Sequence, residues 1–271
     1  MPMIEPIPTR PPFRYYGGKW KIGAAIVAAM PAHEVYVEPF GGAASVLLQK
    51  PRATCEIYND AWGDVVNVMR MLRERTGELV SLCELTPYAR DEFALSYEPC
   101  DDPLESARRF LFRNAACVGV KAGHRRSGFR TTRQGHKYGR GAVWATLPDQ
   151  FAAIASRLQG VIIENRDACQ VMREHDEPHT LHYVDPPYLA DVRKDRTKAY
   201  THEMLGEDEH LALLTTLRSL RGRVILSGYP HELYQQHLAD WYTCPLRARD
   251  QSGQHREERL WMNFEPRGEL I

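Results

Sequence analysis

Asp185-Pro186-Pro187-Tyr188 places a carboxylate, two residues of fixed φ and an aromatic ring in succession, directly after the apolar run Leu181-His182-Tyr183-Val184. The aspartate side chain and the carbonyl of the proline after it are two hydrogen-bond acceptors on adjacent residues. Proline has no backbone N–H and a φ locked near that of a turn, so the pair holds both oxygens in one direction. Two acceptors so placed can take both hydrogens of a planar amino group, draw its nitrogen toward tetrahedral geometry and expose the lone pair to an electrophile. Tyr188 adds a face on which a heteroaromatic ring can stack. The competing reading is that Pro-Pro-Tyr merely ends a strand. A chance match to four specified residues in a chain this long has odds on the order of one in several hundred, so we weigh the chemical reading above the turn. If the amine belongs to adenine in a duplex, the base must swing out of the stack to meet an electrophile.

A second cluster supplies the partner that such a reaction needs. The run Val35 to Val37 is followed by Glu38-Pro39-Phe40-Gly41-Gly42-Ala43-Ala44-Ser45-Val46, which puts paired glycines where a first strand turns toward a helix. Ligands of open α/β sheets bind at that edge. Glycine allows positive φ and close approach of the backbone to a nucleoside. Asn59-Asp60 follows the next strand, and a carboxylate at that distance in a nucleotide-binding unit accepts ribose hydroxyls. Glu38 and the lack of a third glycine argue against a pyrophosphate ligand, since a carboxylate repels phosphate and attracts an ammonium group.

These residues need a sheet to bring them together. Short β-branched or aromatic runs at Val35 to Val37, Thr54 to Tyr58, Val161 to Ile163, Leu181 to Val184, Arg223 to Leu226 and Leu260 to Phe264 predict strands. Helical periodicity runs over Trp62 to Arg73 and Asp208 to Leu220. The alternation predicts an α/β fold with a doubly wound, mostly parallel sheet. Thr76 to Pro148 breaks that rhythm, with a helical part at Leu104 to Cys117, and predicts an insertion between the second and third strands. The catalytic domain is then 1–75 with 149–271, and 76–148 is an inserted, mainly helical lobe carrying a basic loop or hairpin.

The insertion is where charge concentrates. The whole chain of 271 residues balances 35 basic against 35 acidic residues, so net charge gives no reason to invoke nucleic acid. Between Leu104 and Gly141, however, ten Arg or Lys residues face one acid, Glu105, and six glycines lie between Gly119 and Gly141. A solvated basic face is the ordinary meaning of such a run. Beside a base-flipping signature we read it as the surface for double-stranded DNA, with Lys121, Arg125, Arg126, Arg130, Arg133 and Lys137 as contacts; the arginines can grip phosphates and read guanine.

With these residues assembled, the chain resembles the Dam-type family of DNA adenine-N6 methyltransferases, collinearly over most of its length. Phe13-Arg14-Tyr15-Tyr16-Gly17-Gly18-Lys19 is similar to that family's N-terminal cofactor motif, Glu38 to Val46 to its glycine loop, Asn59-Asp60 to its ribose-binding acid, and Asp185 to Tyr188 to its catalytic motif. The resemblance implies a Rossmann-like S-adenosylmethionine-dependent methyltransferase fold. It implies catalysis by Asp185, Pro186, Pro187 and Tyr188, and S-adenosylmethionine held by Tyr15, Tyr16, Lys19, Glu38, Pro39, Phe40, Gly41, Gly42, Ser45 and Asp60. Asp167 stands where relatives place a residue near the cofactor's adenine, although a helix N-cap explains it equally well. Ala44 departs from the glycine that many members carry. Leu189 to Gly206, with Lys198-Ala199-Tyr200-Thr201, resembles a mobile segment and reads as a lid.

Other features exclude more than they propose. Six cysteines without Cys-x-x-Cys spacing suit reduced thiols, and eleven histidines lack a metal-binding pattern, so no metal is expected. No apolar run nears the roughly 18 residues of a membrane span, and the chain reads as cytoplasmic, of bacterial or phage origin. His255 to Arg259 reads as a solvated turn and Trp241-Tyr242 as core. A cognate restriction endonuclease is a possible partner. The same site chemistry would serve RNA or a protein glutamine, or persist in an inactive DNA-binding homologue. A nicotinamide-dependent oxidoreductase would leave Asp185 to Tyr188 unexplained.

Overall fold

The computed structural model describes residues 7–119, 127–131, 139–189, 204, 206–249 and 255–266. Its seven strands are β1 (Val35–Glu38), β2 (Cys55–Asn59), β3 (Ile162–Glu164), β4 (Thr180–Val184), β5 (Arg223–Gly228), β6 (Tyr242–Arg249) and β7 (His255–Met262). They form one sheet in the order β3-β2-β1-β4-β5-β7-β6. Pairing is parallel from β3 to β5, and β7 then runs antiparallel to both β5 and β6. The chain winds one way from β1 to β3 and the other way from β4 to β5. The topological switch therefore falls between β1 and β4, where open α/β sheets bind ligands. Glu38 ends β1 and Asp185 directly follows β4, so both carboxylates stand at that crevice.

Side-chain alternation divides the interior into two layers. Tyr36, Tyr58, Leu181, Tyr183, Ile225, Leu260 and Met262 face one cluster, shared with Val65, Met69 and Leu72 of the helix Gly63–Glu74, with Phe110 and Phe112 of Pro103–Ala116, and with Ile154 of Phe151–Leu158. Val37, Ile57, Val184, Val224, Leu226 and Trp261 point to the other face, against Val171 of Ala168–Glu174, Leu213 and Leu217 of Glu207–Ser219 and Tyr234 of Glu232–His237. This is the expected doubly wound sheet.

The region 76–148 is helical, as its sequence suggests, with Thr76–Leu85, Arg90–Leu95, Pro103–Ala116 and Gly139–Ala145 between β2 and β3. Leu79, Phe93, Phe112 and Trp144 are buried in the same cluster as Tyr36 and Tyr58 of the sheet. After Pro103–Ala116 the chain returns on itself: Cys117 bridges Phe129 antiparallel, Val118 N donates to Gly128 O at 3.1 Å, and Arg130 N donates to Ala116 O at 2.8 Å. Arg130 thus stands at the base of a closed loop. Lys121, Arg125, Arg126, Arg133 and Lys137 lie outside the described residues, as do most of Leu189 to Gly206 and all of Lys198 to Thr201.

Two expectations are overturned near the end of the chain. His255 to Arg259 is not a solvated turn; it is the first part of β7, and Glu258 within it is buried. The strand β6 carries no apolar run that would announce it, because Thr243, Pro245 and Arg247 interrupt Tyr242 to Arg249. As the sheet's edge it needs only one partner, and a proline is tolerated there. Trp241 is core, but Tyr242 is exposed. All six cysteines are free thiols.

One buried ionic knot ties the β1–β2 connection to the helices behind the sheet. Glu56 Oε1 accepts Lys50 Nζ at 2.6 Å, while Arg157 grips both carboxylate oxygens at 2.6 and 2.9 Å. Burial pushes the Glu56 carboxyl up, and the hydrogen bonds from Arg157 and Lys50 outweigh it, leaving it below the usual carboxylate range. Its stabilising contribution is therefore present above the unfolded carboxylate range and lost as pH falls through the lower folded value. Glu56→Ala, which strands two buried cations, should cost about 3–5 kcal/mol in a urea titration at neutral pH. A loss under about 1 kcal/mol would mean the knot is solvated.

Candidate active site

The segment that opens the site is fastened from behind. Phe13 sets its ring edge-on against Phe110 at 5.1 Å, Arg14 N donates to Asn114 Oδ1 at 2.9 Å, and Asn114 Nδ2 donates back to Arg14 O at 2.7 Å. The helix Pro103–Ala116 thus anchors the strip that carries Tyr15 to Lys19. Gly17, at φ 73°, turns the chain so that Gly18 N donates to Tyr15 O at 3.2 Å. Tyr15 and Tyr16 then lean over the loop after β1.

That loop needs both glycines. A Cβ on Gly41 would run into the buried ring of Tyr58, whose hydroxyl donates to Gly42 O at 2.6 Å. Gly42 has φ 49°, and a Cβ there would lie 2.7 Å from the ring of Tyr15. Ala44 is also left-handed, at φ 53°. Ala44 is thus held where L side chains are strained, and alanine, the smallest of them, carries that strain here. Asp60 braces the turn with both oxygens: Oδ2 accepts Gly42 N and Oδ1 accepts Trp62 N, each at 2.8 Å.

The resulting crevice, of about 360 Å³, is lined by Tyr15, Tyr16, Lys19, Glu38, Phe40, Gly41, Gly42 and Ser45 together with Asp185. Gly17, Gly18, Ala43, Val46 and Tyr183 complete the wall. Three expected residues stand off it. The carbonyl of Pro39 accepts Asn59 Nδ2 at 2.9 Å, Asp60 is occupied as described, and Asp167 Oδ1 caps the helix Ala168–Glu174 through Gln170 N at 2.8 Å.

Lys19 is the hub of the inner end. Its buried Nζ donates to Asp185 Oδ1 and Oδ2, both at 2.7 Å, to Gly17 O at 2.9 Å and to Tyr188 OH at 2.6 Å, and it lies 3.0 Å from Glu258 Oε1. Tyr188 OH donates to Glu258 Oε1 at 2.5 Å, and its ring centroid lies 4.5 Å from that of Tyr229. Ser227 Oγ donates to Asp185 Oδ1 at 2.9 Å and sits 3.2 Å from Tyr183 OH. Pro186 is buried and Pro187 half-buried between Asp185 and Tyr188. Burial pulls Lys19 downward, but Asp185 and Glu258 outweigh it and hold the ammonium above its ordinary range. Burial raises the Asp185 carboxyl, while Lys19 pulls it back. With an ammonium on both of its oxygens, the carboxylate is the form that this geometry stabilises.

Sequence reasoning missed Glu258, Ser227 and Asn114. For Glu258 a signal exists: counting back by twos from Met262 and Leu260, which face the same layer as Tyr183, brings Glu258 onto the face of the active centre. Ser227 and Asn114 carry no local signature, since one is a small polar residue in an apolar strand and the other lies within an amphipathic helix.

Glu38 sits at the crevice floor, where Tyr36 OH and Leu47 N both donate to Oε2, at 2.7 and 2.9 Å. Burial dominates, and its carboxyl is pushed up to about 8. Between the unfolded carboxylate range and that value the folded state holds a proton that the unfolded state has lost, so Glu38 makes stability fall as pH rises across that window. Glu38→Gln should therefore melt higher than the parent at pH 8, in the absence of ligand, and match it at pH 4. Equal melting temperatures at both pH values would show that the carboxyl is not perturbed.

Residues 15–243 match the family model described as D12 class N6 adenine-specific DNA methyltransferase. No curated protein matches the chain. Among the described residues no helix is long and apolar enough to cross a membrane, and no group of three or more histidine, cysteine or acidic residues could hold a metal ion.

Proposed function

The chain belongs to the D12 class N6 adenine-specific DNA methyltransferase family, and from that premise we propose how its own residues divide the work. Members of this class transfer a methyl group from S-adenosylmethionine to adenine N6 in DNA. The observation that carries the assignment is the juxtaposition of Asp185 with the glycine-loop crevice at the switch between β1 and β4.

The residues present fit that cofactor. Gly41 and Gly42 give a wall without side chains, Tyr15, Tyr16 and Phe40 give apolar surface for a nucleoside, and Glu38, whose carboxyl burial pushes up to about 8, would ionise as a counter-ion when the amino-acid ammonium binds beside it. Lys19 and Ser45 line the same wall. Asp60 would take a ribose hydroxyl on a carboxylate that also braces the loop, and Asp167, which caps the helix Ala168–Glu174, is assigned to the adenine by the resemblance alone. The bound cofactor supplies the methyl group and, as a sulfonium, the leaving group.

The target base is swung out of the duplex and lies with its amino group at Asp185. The carboxylate would accept one amino hydrogen and the Pro186 carbonyl the other, with Pro187 fixing the turn, so that the nitrogen is drawn toward tetrahedral geometry and its lone pair is freed for the methyl group that the bound cofactor would supply. The ring of Tyr188 stacks on the base. Because the acceptors act on the nitrogen as it becomes tetrahedral, their effect falls on the transition state rather than on ground-state binding.

For the DNA face we propose the inserted region 76–148, with the loop closed between Cys117 and Phe129 following the duplex and Lys121, Arg125, Arg126, Arg130, Arg133 and Lys137 on phosphates and base edges. The support is the concentration of basic residues in one segment of a neutral chain. Modification of a defined site blocks cleavage by an endonuclease reading the same site, which makes a cognate restriction endonuclease part of the proposal.

Three experiments test this division of labour. Methyl-labelled S-adenosylmethionine offered with unmethylated DNA, RNA and protein in parallel should put label into DNA as N6-methyladenine. Asp185→Ala should abolish transfer while calorimetry finds cofactor binding largely retained. Near-parent turnover in that variant would remove Asp185 from the mechanism, and label in RNA or protein alone would move the substrate. Arg125→Ala with Arg126→Ala should weaken DNA binding and flatten its dependence on salt by about one to two phosphate contacts. An unchanged slope would place the duplex elsewhere.

A further inference from the structure

Asp185 has a conflict to resolve. Both of its oxygens are taken by the Lys19 ammonium, and Oδ1 also accepts Ser227 Oγ. A hydrogen from the target amine would share those oxygens with Lys19, and the added donor weakens the carboxylate's hold on the ammonium. A buried ammonium released without another anion is expensive. Lys19 is 4% exposed, so water does not solve the problem.

Glu258 does. It is 5% exposed, comes from β7 rather than from any segment that carries the recognised motifs, and lies outside residues 15–243 that match the family. Its Oε1 is 3.0 Å from Lys19 Nζ and accepts Tyr188 OH at 2.5 Å, while Tyr188 OH is itself 2.6 Å from Lys19 Nζ. One oxygen thus holds both the cation that competes for Asp185 and the phenol of the proposed stacking ring. We propose that Glu258 is a positioning residue for methyl transfer: it retains the Lys19 ammonium while Asp185 takes the hydrogen of the incoming amine, and it fixes Tyr188 through its hydroxyl. This rests on the assignment of Asp185 and Tyr188 given above. A hydrogen bond to a charged acceptor is shorter and stronger than a neutral one, which suits a group that must hold two donors at once.

The charged and titratable groups around Asp185 come from five directions: Lys19 from the N-terminal strip, Glu38 from β1, Tyr183 from β4, Tyr234 from the helix Glu232–His237, and Glu258 from β7. Glu258 raises Asp185 by its negative charge, and Lys19 lowers it. Removing the charge of Glu258 acts twice in the same direction, because the repulsion disappears and Lys19 is left to Asp185 alone. Asp185 then stays ionised to lower pH but is a poorer acceptor for the amine.

The test uses the full-length protein with S-adenosylmethionine and adenine-containing duplex DNA. Glu258→Gln should lower kcat about tenfold, with KM for the cofactor moving less than about threefold, as expected for loss of an interaction that matters in the transition state. Its acid limb of kcat against pH should move to lower pH. Glu258→Asp keeps the charge and should leave the acid limb in place while turnover falls, because the shorter side chain no longer reaches Tyr188 OH. Combining Glu258→Gln with Tyr188→Phe should cost less than the sum of the two. Parent-like kcat with an unmoved acid limb in Glu258→Gln would overturn the proposal, as would a loss that tracks only the unfolded fraction seen in thermal melts. Should Glu258→Gln fail to fold, parent-like turnover in Glu258→Asp would overturn it alone. If instead Asp185→Ala retains turnover, the fault lies in the assignment of Asp185 and not in the role given to Glu258.

Discussion

A charge held out of water must be paired, and the centre of this protein is organised around that requirement. The crevice at the switch between β1 and β4 buries Glu38 and Asp185 enough to push both upward from the ordinary carboxylate range, yet the role proposed for Asp185 needs it as an anion. Lys19 meets the need by lying on both of its oxygens. Much of the surrounding architecture follows from keeping that ammonium in place: the turn at Gly17, whose carbonyl takes one of its hydrogens, the fastening of the N-terminal strip to Asn114, and the antiparallel strand that brings Glu258 alongside.

The glycine loop answers a different constraint, that of space. Tyr58 and Tyr15 press against it from two sides, so Gly41 and Gly42 are small because of their neighbours as well as because of what the crevice holds. Asp60 serves that loop by pinning Gly42 N. The same carboxylate can be a structural brace and a ligand contact, and as the brace each of its oxygens accepts a backbone N–H.

How much of this was legible depended on whether function and folding left their marks in the same residues. Strands β1, β2, β4 and β5 were readable because parallel strands paired on both sides are nearly continuous apolar runs, and β3, although an edge, is announced by Val161-Ile162-Ile163; the boundaries of all five fell within a residue or two of the expected ones. Asp185 to Tyr188 and Gly41-Gly42 were readable because their chemistry demands particular residue types at fixed spacing. The edge strand β6 was not, since one solvent-facing side removes the need for apolar residues. Glu258 was misread for a related reason: in sequence it stands among His255, Arg256, Glu257 and Arg259, and a run of polar residues looks solvated unless the alternation of the strand is carried back through it. Lys19 was assigned to the cofactor by resemblance, and its contact with Asp185, across 166 residues of sequence, has no local trace.

That separation bears on when the enzyme comes into being. Lys19 meets Asp185 across 166 residues and Tyr188 meets Glu258 across 70, so only a fragment spanning nearly the whole chain carries the assembled centre. Contacts between distant residues form late, after loop-closure entropy has been overcome. The parallel strands β1 to β5 precede β7 in the chain, and a nascent polypeptide still holding β7 within the ribosome has its motifs but lacks the anion that completes them. The Lys19–Tyr188–Glu258 cluster is therefore assembled only once the C-terminal strand has docked on β5.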